Sequence, residues 1–125
     1  GTDLSDPTSM AACAKHFVGG SQPVNGTNGA PTDISERTLR EVFFPPFRAC
    51  VDAGVQTFMM AHNEIEGIPC HTNAWLMQDI IRKEMGFDGF IVSDWMDMEH
   101  VYDLHRTAVS VEDAYAQSVL VVFYF

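Results

Sequence analysis

Three short apolar stretches, each running into polar or ionisable side chains and then a loop, constrain the fold of this chain more than any other feature. They are Met10-Ala11-Ala12-Cys13-Ala14 leading into Lys15-His16-Phe17, Val55 to Ala61 leading into His62-Asn63, and Phe90-Ile91-Val92 leading into Ser93-Asp94-Trp95. Near-continuous apolar runs suit strands buried in a parallel sheet, and parallel neighbours need a long crossover, usually a helix. The intervening segments read as such helices. Asp33 with Glu36 three residues on resembles a capping box, ahead of Leu39, Phe43, Phe47 and Cys50 near helical spacing. Pro45-Pro46 is expected to kink or break that helix, and Gly54 to end it. Asn73 can cap a second helix with Leu76, Ile80 and Met85 inward and Gly86 closing it, and Ser110 with Asp113 can cap a third. Strand and helix therefore alternate, the signature of an α/β domain. An open doubly wound sheet and part of a (β/α)8 barrel both fit. The Gly26-Thr27-Asn28-Gly29 segment is no dinucleotide fingerprint, since it lacks the GxGxxG spacing and opens no helix directly.

At 125 residues the chain is one domain at most. Seven Lys and Arg against seventeen Asp and Glu give a formal charge of −10, which repels phosphate backbones and anionic lipid and argues against nucleic-acid and membrane partners. No apolar run reaches the roughly 20 residues of a membrane span. Cys13, Cys50 and Cys70 are odd in number and lack a CxxC, so they read as small core residues or free thiols. Both ends look cut. The opening Gly1 to Pro7 has no Met and no signal-peptide pattern, and the closing residues 119–125 are apolar and β-branched, expected to pair as a strand and unlike a natural C-terminus.

The three strand ends bring Lys15-His16, His62-Asn63 and Ser93-Asp94 to one edge of the sheet, where parallel α/β proteins bind ligands. Asp94 closes the most apolar strand, so its carboxylate needs a hydrogen-bond partner or a cation there, or else it caps the turn ahead of Asp97 and Glu99. Lys15 is either an exposed strand-end lysine or a group held near a sugar, phosphate or carbonyl; Schiff-base chemistry would require its burial. His16 is adjacent, so on a regular strand it faces the other way, and both serve one site only if the strand stops there. Trp95 offers a flat apolar face suited to a sugar ring. The five histidines lie in neither HxH nor HExxH, so no metal is expected.

Several blocks of the chain resemble glycoside hydrolase family 3, the β-glucosidase and β-xylosidase family. They are Lys15-His16-Phe17, the Asp33 to Glu41 segment, Pro46-Phe47, the Met-x-x-x-Asn-x-x-x-Gly pattern from Met59 to Gly67, and Gly86 to Trp95. The resemblance implies a partial (β/α)8 barrel of about three to four βα units, with Asp94 as the nucleophile of a retaining mechanism. It implies that Lys15 and His16 contact sugar hydroxyls, that Met59 and His62 line the pocket, and that Trp95 stacks at its mouth. Relatives often carry Arg-Asp-Tyr about where Thr27, Asn28 and Gly29 stand, so the loop is expected to engage substrate less. The family's upstream sugar contacts and the acid/base Glu of its second domain have no counterpart here, and the loop from Val18 to Asp33 lacks the His used by the N-acetylglucosaminidase branch. Glu64 and Glu66 are the local substitutes as acid/base.

The expectation is thus a retaining β-glycosidase acting on terminal β-linked glucosyl or xylosyl residues, with no cofactor and with an oligosaccharide or glycoside as partner. The alternatives are a non-catalytic sugar-binding fragment of such an enzyme and a Schiff-base lyase using Lys15. An incomplete barrel exposes strand edges, so the chain is expected to form a homo-oligomer or to need a complementary domain. A periplasmic or extracellular location fits the resemblance.

Overall fold

The computed structural model describes residues 3–123. In chain order the elements are β1 (Cys13–Phe17), α1 (Glu36–Thr38), a π-helical turn (Leu39–Phe43), α2 (Phe44–Asp52), β2 (Thr57–Met60), β3 (Glu64–Ile65), β4 (Ile68–Pro69), a π-helix (Trp75–Glu84), β5 (Phe90–Val92), α3 (Asp97–Asp103) and α4 (Val111–Phe123). β1, β2 and β5 form one parallel sheet in that order, with Thr57 opposite both Cys13 and Phe90. Parallel neighbours in chain order, joined through helices on one side, make this a truncated (β/α)8-like α/β domain.

Side chains alternate across the sheet. Ala14, Phe17, Phe58, Met60 and Ile91 are buried toward the helices, whereas Cys13, Lys15 and Phe90 are exposed on the other face. Runs apolar enough for burial on both faces are thus covered on one face only among the described residues. The core joins Phe17, Phe58 and Phe87 to Phe44, Leu76, Met77, Ile80 and Ile81. Phe58 lies 4.6 Å from Phe87 and 5.7 Å from Phe17 between ring centroids, offset from face-to-face stacking.

Local chemistry explains where elements begin and end. The first helix is capped by Ser35, whose Oγ accepts the Thr38 N–H at 3.2 Å; the expected cap, Asp33, lies two residues too early. Pro45 and Pro46 do not break the helical path. The π-helical turn ends before them, and they occupy the first turn of α2, where a missing N–H costs no hydrogen bond. Gly54 follows α2 in the left-handed region at φ 83°. Asn73 caps the π-helix, its Oδ1 accepting the Leu76 N–H at 3.1 Å. Ser110 and Asp113 cap α4 reciprocally: Ser110 Oγ accepts from the Asp113 N–H, and Asp113 Oδ2 accepts from the Val109 N–H.

Three further expectations are corrected. The first strand begins at Cys13 rather than Met10, which is 85% exposed and has no partner on β2. Glu64–Ile65 and Ile68–Pro69 form a small antiparallel hairpin where a plain loop was expected. The apolar tail is helical, not a strand, through Phe123: Val121 and Val122 pack against the core, and the Gln78 side-chain amide donates to both of their carbonyls. Tyr124 and Phe125 lie outside the described residues.

Candidate active site

At the carboxyl ends of the three strands lies a cavity of about 550 Å³, lined among others by Lys15, His16, His62 and Asp94. Lys15 and His16 both reach it because β1 is irregular there: Ala14 pairs with Phe58 and Phe17 with Met60, three steps on β1 against two on β2. The extra residue breaks the alternation that would have sent the two side chains to opposite faces. The Lys15–His16 and Phe17–Val18 peptide bonds within this stretch are cis. The chain then turns at Gly19, whose φ of 84° and close approach to Ile65 and Thr32 favour glycine. This turn brings Gly19, Gly20, Ser21 and Asn28 to the cavity wall.

Asp94 stands two residues past β5. Its Oδ2 lies 3.2 Å from His16 Nε2 and 3.3 Å from His62 Nε2, and its Oδ1 accepts the Trp95 N–H at 2.6 Å. One oxygen thus accepts a backbone hydrogen bond and the other lies beside two imidazoles, a polar setting suited to a carboxylate at the end of an apolar strand. A lysine and a histidine were the expected neighbours of Asp94, and of the two His16 makes the contact. Lys15 lines the same cavity, yet among the described residues it forms no ion pair, and the two imidazoles hold Asp94 instead.

A second carboxylate stands behind this one. Asp97, the first residue of α3, is 2% exposed, and its Oδ1 lies 2.5 Å from His62 Nδ1. Its Oδ2 makes no hydrogen bond and lies 3.4 Å from Nδ1 of His71, itself buried. Burial raises the Asp97 carboxyl above its ordinary range, partly offset by the hydrogen bond from His62. Burial likewise pushes His71 down to about 3, so this imidazole is neutral at pH 7. Its Nε2 accepts the Asp94 backbone N–H at 3.3 Å. Asp97 and His71 escaped the sequence reading, because a helix-opening Asp and a histidine outside any motif carry no periodic signal.

The other candidates are placed as follows. Glu64 does not line the cavity; its Oε1 is 2.7 Å from Nδ1 of His105, whose ring is largely covered and whose Nε2 lies 3.0 Å from the His62 carbonyl. Glu66 sits at the hairpin turn with φ 52° and lines a separate depression beside Trp75. The hairpin thus turns Glu64 to His105 and Glu66 to a separate depression, and neither lines the cavity that holds Asp94. Met59 is half-buried on the face of β2 opposite Phe58 and Met60, and it is not on the cavity wall. Trp95 is 78% exposed and also off the wall.

His62, Asp94 and Asp97 each offer a ligand atom within 4.8 Å of the others. Within this cluster, His62 Nδ1 is hydrogen-bonded to Asp97 and His62 Nε2 lies 3.3 Å from Asp94 Oδ2.

The family model described as glycosyl hydrolase family 3 N terminal domain matches residues 3–119. The chain belongs to glycoside hydrolase family 3. A β-xylosidase of Formosa agariphila is 47% identical over 115 residues, which cover 91% of this chain and 16% of that relative. The lysosomal beta glucosidase of Dictyostelium discoideum is 38% identical, over 89% of this chain and 14% of the relative. Among solved structures, a β-glucosidase from Erythrobacter marinus superposes with a TM-score of 0.87 at 37% identity, covering 90% of this chain and 15% of that one. A Listeria innocua β-glucosidase in complex with glucose gives 0.86 at 35% identity, with 90% and 16% covered. This family 3 chain therefore spans 14–16% of the length of these relatives.

Proposed function

We propose that the chain carries the nucleophile and part of the sugar-binding wall of a retaining β-glycosidase that removes terminal β-linked glucosyl or xylosyl residues. The observation that supports this most is the position of Asp94: past the carboxyl end of β5, at a cavity, with two imidazoles on one oxygen and a backbone N–H on the other. In this reading an Asp94 oxygen attacks the anomeric carbon as the bond to the leaving oxygen breaks. An acid protonates that oxygen, and water then releases the sugar from the ester. Lys15 and His16 bind sugar hydroxyls from β1, His62 steadies the nucleophile, and Met59 and Trp95 border the sugar from outside the cavity wall.

Retaining hydrolysis needs a second carboxyl group about 5–5.5 Å from the first. Asp97 is near but buried beneath His62, so it does not reach a leaving group. The acid is thus supplied from outside the described residues. That supports a second reading for the chain alone, a sugar-binding fragment without turnover. The names of two relatives carry a compartment, lysosomal in one and periplasmic in a Salmonella typhimurium β-glucosidase, which supports a location outside the cytoplasm.

A fluorinated glycoside with a good leaving group separates these readings, because forming its glycosyl-enzyme depends little on the acid. The label is expected on Asp94 and on no other carboxylate, and to vanish in Asp94→Asn. Mass mapping to Glu64, Glu66 or Asp97 would overturn the assignment, and no label on folded protein would favour the fragment. Borohydride with a carbonyl substrate is expected to leave Lys15 unmodified; an adduct there would favour a Schiff-base lyase.

A further inference from the structure

Four contacts close a circuit around Asp94. Its backbone N–H donates to His71 Nε2 at 3.3 Å, and His71 Nδ1 faces Asp97 Oδ2 at 3.4 Å. Asp97 Oδ1 meets His62 Nδ1 at 2.5 Å, and His62 Nε2 returns to Asp94 Oδ2 at 3.3 Å. The proton positions follow from donor and acceptor chemistry. His71 Nε2 accepts, so its proton sits on Nδ1, the nitrogen 3.4 Å from Asp97 Oδ2. When the proton between His62 and Asp97 rides on oxygen, neutral His62 carries its own on Nε2, 3.3 Å from Asp94 Oδ2; when it rides on Nδ1, only the imidazolium has an Nε2–H to face Asp94. Asp97 Oδ2 is buried and makes no hydrogen bond among the described residues, and His71 Nδ1, 3.4 Å away, is the nitrogen that faces it.

We propose that Asp97 and His71 are positioning residues, which through this circuit fix the ring of His62 and hence the carboxylate of Asp94 in one orientation. The circuit grips Asp94 by backbone and side chain at once. Two of its members are buried and cannot swing, so they provide the locked supporting shell that a precise site needs. His16, the other partner of Asp94 Oδ2, is exposed and lies outside the circuit.

The inference rests on the nucleophile reading of Asp94, and two measurements separate the failure of either. Long-range proton–nitrogen correlation spectra of the unliganded protein at pH 7 are expected to show His71 as the neutral Nδ1–H tautomer. The Nε2–H tautomer, or rapid exchange between the two, would overturn the circuit whether or not the protein is active. With the fluorinated glycoside at saturation, Asp97→Asn is expected to slow labelling of Asp94 about tenfold while leaving the half-saturating concentration nearly unchanged, a loss carried by orientation rather than affinity. Rates are counted per folded molecule, so simple destabilisation does not mimic the effect. Wild-type labelling in the folded variant would overturn the proposal. If the wild-type protein takes no label, the nucleophile reading fails and the His71 tautomer still decides the circuit.

Discussion

His62 Nδ1 and Asp97 Oδ1 lie 2.5 Å apart, joining a side chain at the cavity wall to a carboxylate that solvent barely reaches. Removing one member of such a pair leaves the other buried and unpartnered, which is more damaging than losing both.

His62→Phe is therefore expected to destabilise the protein by about 3 kcal/mol, in the range found for breaking buried pairs. The double variant His62→Phe/Asp97→Leu should be more stable than His62→Phe alone. Urea denaturation of the four proteins in this cycle measures the coupling, and strict additivity would argue against a paired origin.

The pH dependence of stability has a defined sign. The ordinary histidine value is 6.5, and His71 is held at about 3 by burial. Between those values the unfolded chain binds a proton that the folded chain refuses, so stability falls as pH falls, by up to roughly 1.4 kcal/mol per unit from this group. Asp97 pulls the other way, because its raised carboxyl keeps a proton in the folded state that the unfolded state releases. His71→Gln should accordingly show a flatter acid limb of melting temperature against pH than the wild type. An equal or steeper limb would contradict a buried neutral His71.

Gly89 precedes β5 and has no room for a side chain. A Cβ there would lie 2.3 Å from the Gln56 carbonyl oxygen and 2.6 Å from the Phe87 ring. The carbonyl belongs to the backbone next to β2 and accepts the Phe90 N–H, so it cannot move without disturbing the pairing that positions Asp94. Gly89→Ala is expected to cost at least about 1–3 kcal/mol, the usual toll of overpacking. A melting temperature equal to wild type would refute this.

The open face of the sheet carries exposed Cys13 and Phe90, the latter 65% accessible, beside half-buried Met59 and Val92. Apolar faces of this kind associate in water. The purified chain is expected to sediment as an oligomer, and Phe90→Glu to shift it toward monomer; a wild-type monomer at tens of micromolar would count against this face as an interface.

The alternation of elements was legible in the residues themselves, because burial demands apolar runs and the ends of helices demand particular caps. Asn73, Gly54 and the Ser110–Asp113 pair act where their chemistry says they should. The ends of the first and third strands likewise located Lys15, His16 and Asp94 at one cavity. Tertiary structure decided the rest. Residues 119–123 have the β-branched composition of a strand, but they continue a capped helix whose inner side meets the core, and packing outweighs propensity. Glu64 and Glu66 follow β2 directly, yet a two-residue turn sends one to His105 and the other to a separate depression. Most of all, the partners of Asp94 depended on an irregular β1 and on His71 arriving from a turn more than twenty residues earlier. Periodicity reports which side of an element is buried. Which buried polar groups meet is set by how elements from distant parts of the chain are docked, and no local pattern encodes that.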